Sequence, residues 1–167
     1  MKANSLVFEN QLTQKIVDFI QSIGIEVRKE TISEKTFLPG ILINKGAMII
    51  DEERLLYEGD LLHEAGHIAT LTPEKRVEVY NDVSKNPGDE MATLAWSYAA
   101  GKFLDIDPRI IFHDKGYKGE SKWLAEHFST GGDIGVSLLD WMELTISKNM
   151  AKEEDEIFPI MKKWIRE

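Results

Sequence analysis

The chain has 167 residues, 43% of them apolar and 29% charged, which suits one compact domain with a substantial core across residues 1–167. A formal charge of -9 works against phosphate backbones and anionic lipid as partners, so neither nucleic acid nor a membrane is expected. Cysteine is absent, which excludes a disulfide framework and leaves any metal to the four histidines and the carboxylates.

The opening residues MKANSLVFENQ lack a basic start followed by an apolar run. No later stretch reaches the roughly 18 apolar residues a membrane span requires, so the expectation is a soluble, cytoplasmic protein. Phe8, Leu12, Ile16, Phe19, Ile20 and Ile23 recur at helical spacing, with Gly24 where a helix often stops. β-branched residues then predict a strand from Ile25 to Ile32. Ile41–Ile43 and Ala47–Ile50 predict a hairpin around Asn44-Lys45-Gly46. Asp51-Glu52-Glu53 predicts the start of a helix that runs to Thr72-Pro73, and Pro87-Gly88-Asp89 the start of another reaching Leu104 before Asp105–Pro108 ends it. Three more helices are predicted at Trp123–Phe128, Ile134–Ile146 and Glu153–Trp164. Trp123, Trp141 and Trp164 would pack them onto the core, and Glu153–Glu156 would cap the last.

Within the helix predicted from Asp51, His63-Glu64-Ala65-Gly66-His67 reads H-E-x-x-H. Histidines four apart project from one face of a helix and can reach one metal ion, zinc by preference, while Glu64 beside that face can take a proton from an attacking water. Leu61, Leu62, Ala65, Ile68 and Ala69 occupy the opposite side, as a core-anchored helix requires. Gly66 is unfavourable in a helix interior by about 1 kcal/mol relative to Ala, which predicts a closely packed neighbour.

Catalytic zinc usually takes three protein ligands and keeps a position for water. Glu90 is the candidate third ligand. In its helix Glu90, Thr93, Ser97 and Gly101 form a narrow polar or small stripe, while Met91, Ala92, Ala95, Trp96, Ala99 and Phe103 are apolar or small. A carboxylate on so buried a helix needs a cation. Asp89 suits a capping role, and the competing reading of Glu90 is a first-turn residue complementing the helix dipole in solvent.

These residues resemble the zincin metallopeptidases of the glutamate-ligand type, and more narrowly the ImmA/IrrE group. The similar part covers about residues 40 to 104: ILINKGAMII, then LLHEAGH, then GDEMATLAWSYAA. The resemblance implies a zincin-like α+β fold in which a small, twisted, mainly antiparallel sheet packs on the H-E-x-x-H helix, with Ala47–Ile50 as the strand facing an extended peptide. A donor to the oxyanion of the transition state would come from His127 or His113, with Tyr117 and Tyr98 as further candidates. The expected activity is zinc-dependent hydrolysis of a peptide or protein substrate, with ligands His63, His67 and Glu90 and general base Glu64. The alternative is a zinc-containing regulatory or partner-binding domain without efficient turnover.

Overall fold

The computed structural model describes residues 6–83 and 86–167. The reading of the chain's start rests partly on residues 1–5, outside that range. Seven α-helices and three strands form the regular part of the described residues: α1 Gln11–Ser22, β1 Val27–Lys29, β2 Ile41–Asn44, β3 Ala47–Ile50, α2 Gly59–Thr70, α3 Pro73–Arg76, α4 Pro87–Phe103, α5 Pro108–Ile111, α6 Ser121–Ser129 and α7 Val136–Trp141. The class is α+β, as expected. None of these helices is long and apolar enough to cross a membrane.

Helix α1 starts where the Asn10 side chain accepts from Thr13 N–H (3.0 Å) and stops before Gly24, which holds φ +98°. The β2–β3 hairpin turns at Lys45 and Gly46, both with positive φ, the geometry a two-residue turn needs to match strand twist. Two expectations for the sheet fail. Its order is β1-β3-β2, with β1 parallel to β3 and β2 antiparallel to it, so the sheet is mixed and not mainly antiparallel. The connection of residues 30–40 is long enough to set β1 and β2 apart, so β1 lies on the far side of β3 and does not pair with β2 as a second hairpin would require. Because β3 is central, both its hydrogen-bonding edges are taken, and Ala47–Ile50 has no free edge for a peptide.

Ile41, Ile43, Met48 and Ile50 point to one side of the sheet and join Leu61, Leu62, Ala65, Ile68 and Ala69 of α2 in the main core. Each isoleucine, leucine or methionine among them, fully buried, contributes about 1.5–3 kcal/mol. Leu42 and Ile49 face the other way and cover themselves with Ile32.

The helix predicted from Asp51 begins eight residues later, at Gly59. Asp51 is buried; its carboxylate accepts from Ile32 N–H (2.9 Å), and its carbonyl accepts from Arg54 and Leu55 in a turn that goes no further. Gly59 opens α2 because the backbone of Ile110 lies against it, where a Cβ would collide. Helix α4 matches its predicted limits closely, but its cap is Asn86, which accepts from Gly88 N–H (2.8 Å), rather than Asp89.

The C-terminal expectations are only partly met. Helix α6 forms around Trp123–Phe128, whereas α7 is shorter than Ile134–Ile146 and ends before Glu143, which adopts φ +63°. No α-helix spans Glu153–Trp164. Pro159, with no N–H to give, sits in its middle, and the segment runs as a strap instead. Phe158 N–H donates to Ile146 (3.0 Å), Trp96 Nε1 donates to the Trp164 carbonyl (2.9 Å), and Arg166 N–H donates to Ala69 (2.8 Å) at the end of α2.

A candidate metal centre between two helices

Helices α2 and α4 pack together more extensively than any other pair of elements. Gly66 lies at their crossing, where a Cβ would come within 3.1 Å of both Thr93 Cγ2 and Trp96 Cε3, so the expected close neighbour is α4 itself. This approach brings the first turn of α4 over the middle of α2. His63 Nε2 lies 3.2 Å from one Glu90 carboxylate oxygen, His67 Nε2 3.1 Å from the other, and the two Nε2 atoms 3.1 Å apart. Three ligands about 2.0–2.1 Å from a tetrahedral ion would stand about 3.3–3.4 Å apart, so the three donors fit one ion with little movement. Among the described residues they are the only such group of His, Asp or Glu, and Asp89 is not a member. Two imidazoles and a carboxylate suit zinc and several other transition metals.

Charge supports the same use. Both histidines and Glu64 are about 95% buried. Burial works to raise the Glu90 carboxyl, but hydrogen bonds from His63 and His67 outweigh it and hold the group far below the usual carboxylate range. Burial lowers the affinity of His63 for a proton, yet the bond to Glu90 and the charges of Glu90, Glu64 and Asp60 raise it overall. Glu64 is pushed up by burial despite the two histidines. A cluster of carboxylates packed around two imidazoles is costly unless a cation balances it.

Two outer contacts orient the donors. The Thr93 hydroxyl is 3.1 Å from His67 Nδ1, so a ring using Nε2 as a ligand can donate Nδ1–H to it. Tyr117 meets the His63 ring edge-on at 5.7 Å, its hydroxyl already committed to the Ile111 carbonyl (3.0 Å).

A cleft of about 640 Å³ opens over His63 and Glu90. The segment Phe37-Leu38-Pro39 ahead of β2 forms one wall, and His113 with Lys115–Lys118 another; β3 contributes nothing to it. His113 Nε2 donates to Asp60 Oδ1 (2.7 Å), its ring stacks on Tyr57 at 3.9 Å, and its Nδ1 has no partner within the protein. Burial raises the Asp60 carboxyl in spite of that bond. His127 stands outside this cleft: its ring stacks on Trp123 at 4.8 Å and its Nε2 accepts from Ile134 N–H (3.2 Å). Tyr98 is also elsewhere, stacked on Phe128.

Sequence reasoning overlooked Asp60 and Tyr57. Asp60 precedes His63 by three residues and so shares its helix face, a legible signal; Tyr57 precedes α2 and carried none.

No family model matches the chain, and comparison with curated proteins and with solved structures finds no similar protein in either.

Proposed function

We propose that the protein is a zinc-dependent peptidase of the zincin kind, with His63, His67 and Glu90 as ligands and Glu64 as general base. The observation that carries this reading is the convergence of those three donors to 3.1–3.2 Å beside a buried glutamate, beneath an open cleft. Zinc held there would make a water acidic enough to attack near neutral pH and would polarise a carbonyl. Glu64 takes the proton of the attacking water and passes it to the leaving amine, a task suited to a carboxylate whose proton affinity burial has raised. Its place at the motif's second position, between two ligands, keeps it beside the reacting atoms.

His113 is the better of the two candidate histidines for steadying the developing oxyanion, because it lines the cleft with His63 and Glu90 while His127 does not. With Nε2–H given to Asp60, the buried Nδ1 is left without a partner within the protein, and a doubly protonated ring would have an N–H there to give. On this reading an extended substrate chain runs along the cleft beside Phe37–Pro39.

The test compares zinc-loaded wild type with zinc-loaded Glu64→Gln on a mixed peptide pool, with products read by mass spectrometry. Wild type should cut peptides, and the variant should keep its zinc while losing about 10²–10⁴-fold in rate. An equally active, zinc-loaded Glu64→Gln would overturn the assignment of the base.

A further inference from the structure

Past Glu90 and Tyr117 the cleft continues into a second recess of about 390 Å³, and Glu90, Tyr117 and Lys118 line both spaces. The walls of the recess are Met91 and Leu94 from α4, Trp123 and Leu124 from α6, and Ile134 from the loop that follows. Helix α4 therefore presents a candidate metal ligand, Glu90, and the first apolar wall, Met91, at consecutive positions. A group held at the three donors is separated from the recess by little more than the Glu90 side chain.

The mouth of the recess leaves large apolar surface in water. Trp123 is 49% exposed and Met91 40%. A bracing contact distinguishes Trp123 from a scattered surface residue. The indole of Trp123 stacks on His127 with an interplanar angle of 18°, and the same imidazole accepts the N–H of Ile134, so one ring braces two walls. An apolar site that is already shaped costs little to order when filled. This gives His127 a physical task away from the donors.

We propose that this recess is a specificity pocket, taking the large apolar side chain (Phe, Trp, Leu or Met) of the substrate residue next to the scissile bond. The proposal rests on the peptidase reading above. Continuity with the metal centre fixes the occupant as part of the same peptide chain, and the volume is near the lower end of the roughly 300–1,000 Å³ typical of ligand pockets, room for one side chain. A carboxylate side chain there would meet two carboxylates, Glu90 and Glu120, against the single cation Lys118 and be disfavoured among the apolar walls; glycine would leave Trp123 and Met91 wet.

The experiment uses one random peptide library in two ways. Metal-loaded Glu64→Gln, slowed about 10²–10⁴-fold on this account, is immobilised and the captured peptides are sequenced; wild type is given the same library and its cleavage sites are mapped. Captured peptides should be enriched in large apolar residues at one position, and that enrichment should fall about tenfold when Trp123→Ala or Met91→Lys is added, with folding checked by thermal melting. Both substitutions are at exposed positions, so the folded chain should survive them. Placed in the chain with Glu64 intact, the same substitutions should raise KM for apolar peptides found in the maps, with kcat little changed, in steady-state rate measurements. Capture without apolar enrichment, enrichment indifferent to both substitutions, or no capture at all would overturn the pocket. The two readings fail separately: cutting with no apolar preference leaves the peptidase and removes the pocket, whereas apolar capture without cutting by wild type leaves the pocket and removes the peptidase.

Discussion

The Thr93 hydroxyl lies 3.1 Å from His67 Nδ1, on the side of the ring opposite the nitrogen that meets Glu90. The α2–α4 contact thus supplies both a candidate ligand and a group that holds another ligand's ring in place. Thr93→Val, similar in shape but without the hydroxyl, should weaken metal binding by roughly 10–100-fold, and Thr93→Ser should retain most of it. Competition against a fluorescent chelator measures both.

Gly66 sets how closely the two helices approach. Alanine there would gain up to about 1 kcal/mol of helix propensity but meets Thr93 and Trp96, and crowding in a packed core costs about 1–3 kcal/mol. Neither neighbour can yield readily: both are fully buried, and Trp96 is tied to the Trp164 carbonyl. Gly66→Ala should therefore destabilise the protein, and a net loss of about 1 kcal/mol would lower Tm by about 2–4 °C in a chain of this size. An increase in Tm would show that the contact is looser than these distances imply.

His113 and His127 should separate in kinetics. His113→Ala should lower kcat by about 10²–10³-fold, the usual cost of losing a donor to an oxyanion. His127→Ala should act on KM, through the loosened Trp123 wall. Equal effects on both constants would remove the distinction drawn from their positions.

Asp140 accepts from both the N–H and the hydroxyl of Ser147, each at 2.7 Å, fastening the start of the C-terminal strap. The backbone bond and then the hydroxyl hold its carboxyl below the ordinary value. A carboxyl with a depressed folded value stabilises the fold above the unfolded value, near pH 4, and that contribution is lost as pH falls through the folded value. Asp140→Asn should flatten the acid limb of a Tm-against-pH curve between pH 6 and 3 and leave the slope above pH 6 unchanged.

The parts of the site carried by helical periodicity were legible in the sequence. His63, Glu64 and His67 share one turn of α2, and the stripe through Glu90 and Thr93 defines the face of α4 turned toward them; the structure brings the three donors together as that pattern predicts. Long-range pairing was not legible. Nothing local to residues 27–29 says that they run parallel to β3, because residues 30–46, β2 among them, separate the two strands and no turn joins them. Asp51 reads as a helix-opening acid and is instead a buried acceptor for Ile32, nineteen residues earlier. Glu153–Trp164 has a helical apolar pattern that Pro159 cancels, and its apolar side chains are used by a strap. The sequence slightly favours His127, on a predicted helix, over His113, in a glycine-containing loop; the cleft's lining includes His113 and not His127.

The most direct test of the account is the metal content of untagged protein, measured by elemental analysis for wild type, His63→Ala and Glu90→Ala after incubation with zinc and removal of excess. One zinc per chain in wild type, lost or much weakened in both variants, is the result expected from donors 3.1–3.2 Å apart. Zinc retained at full affinity by Glu90→Ala, or no zinc in wild type, would contradict it.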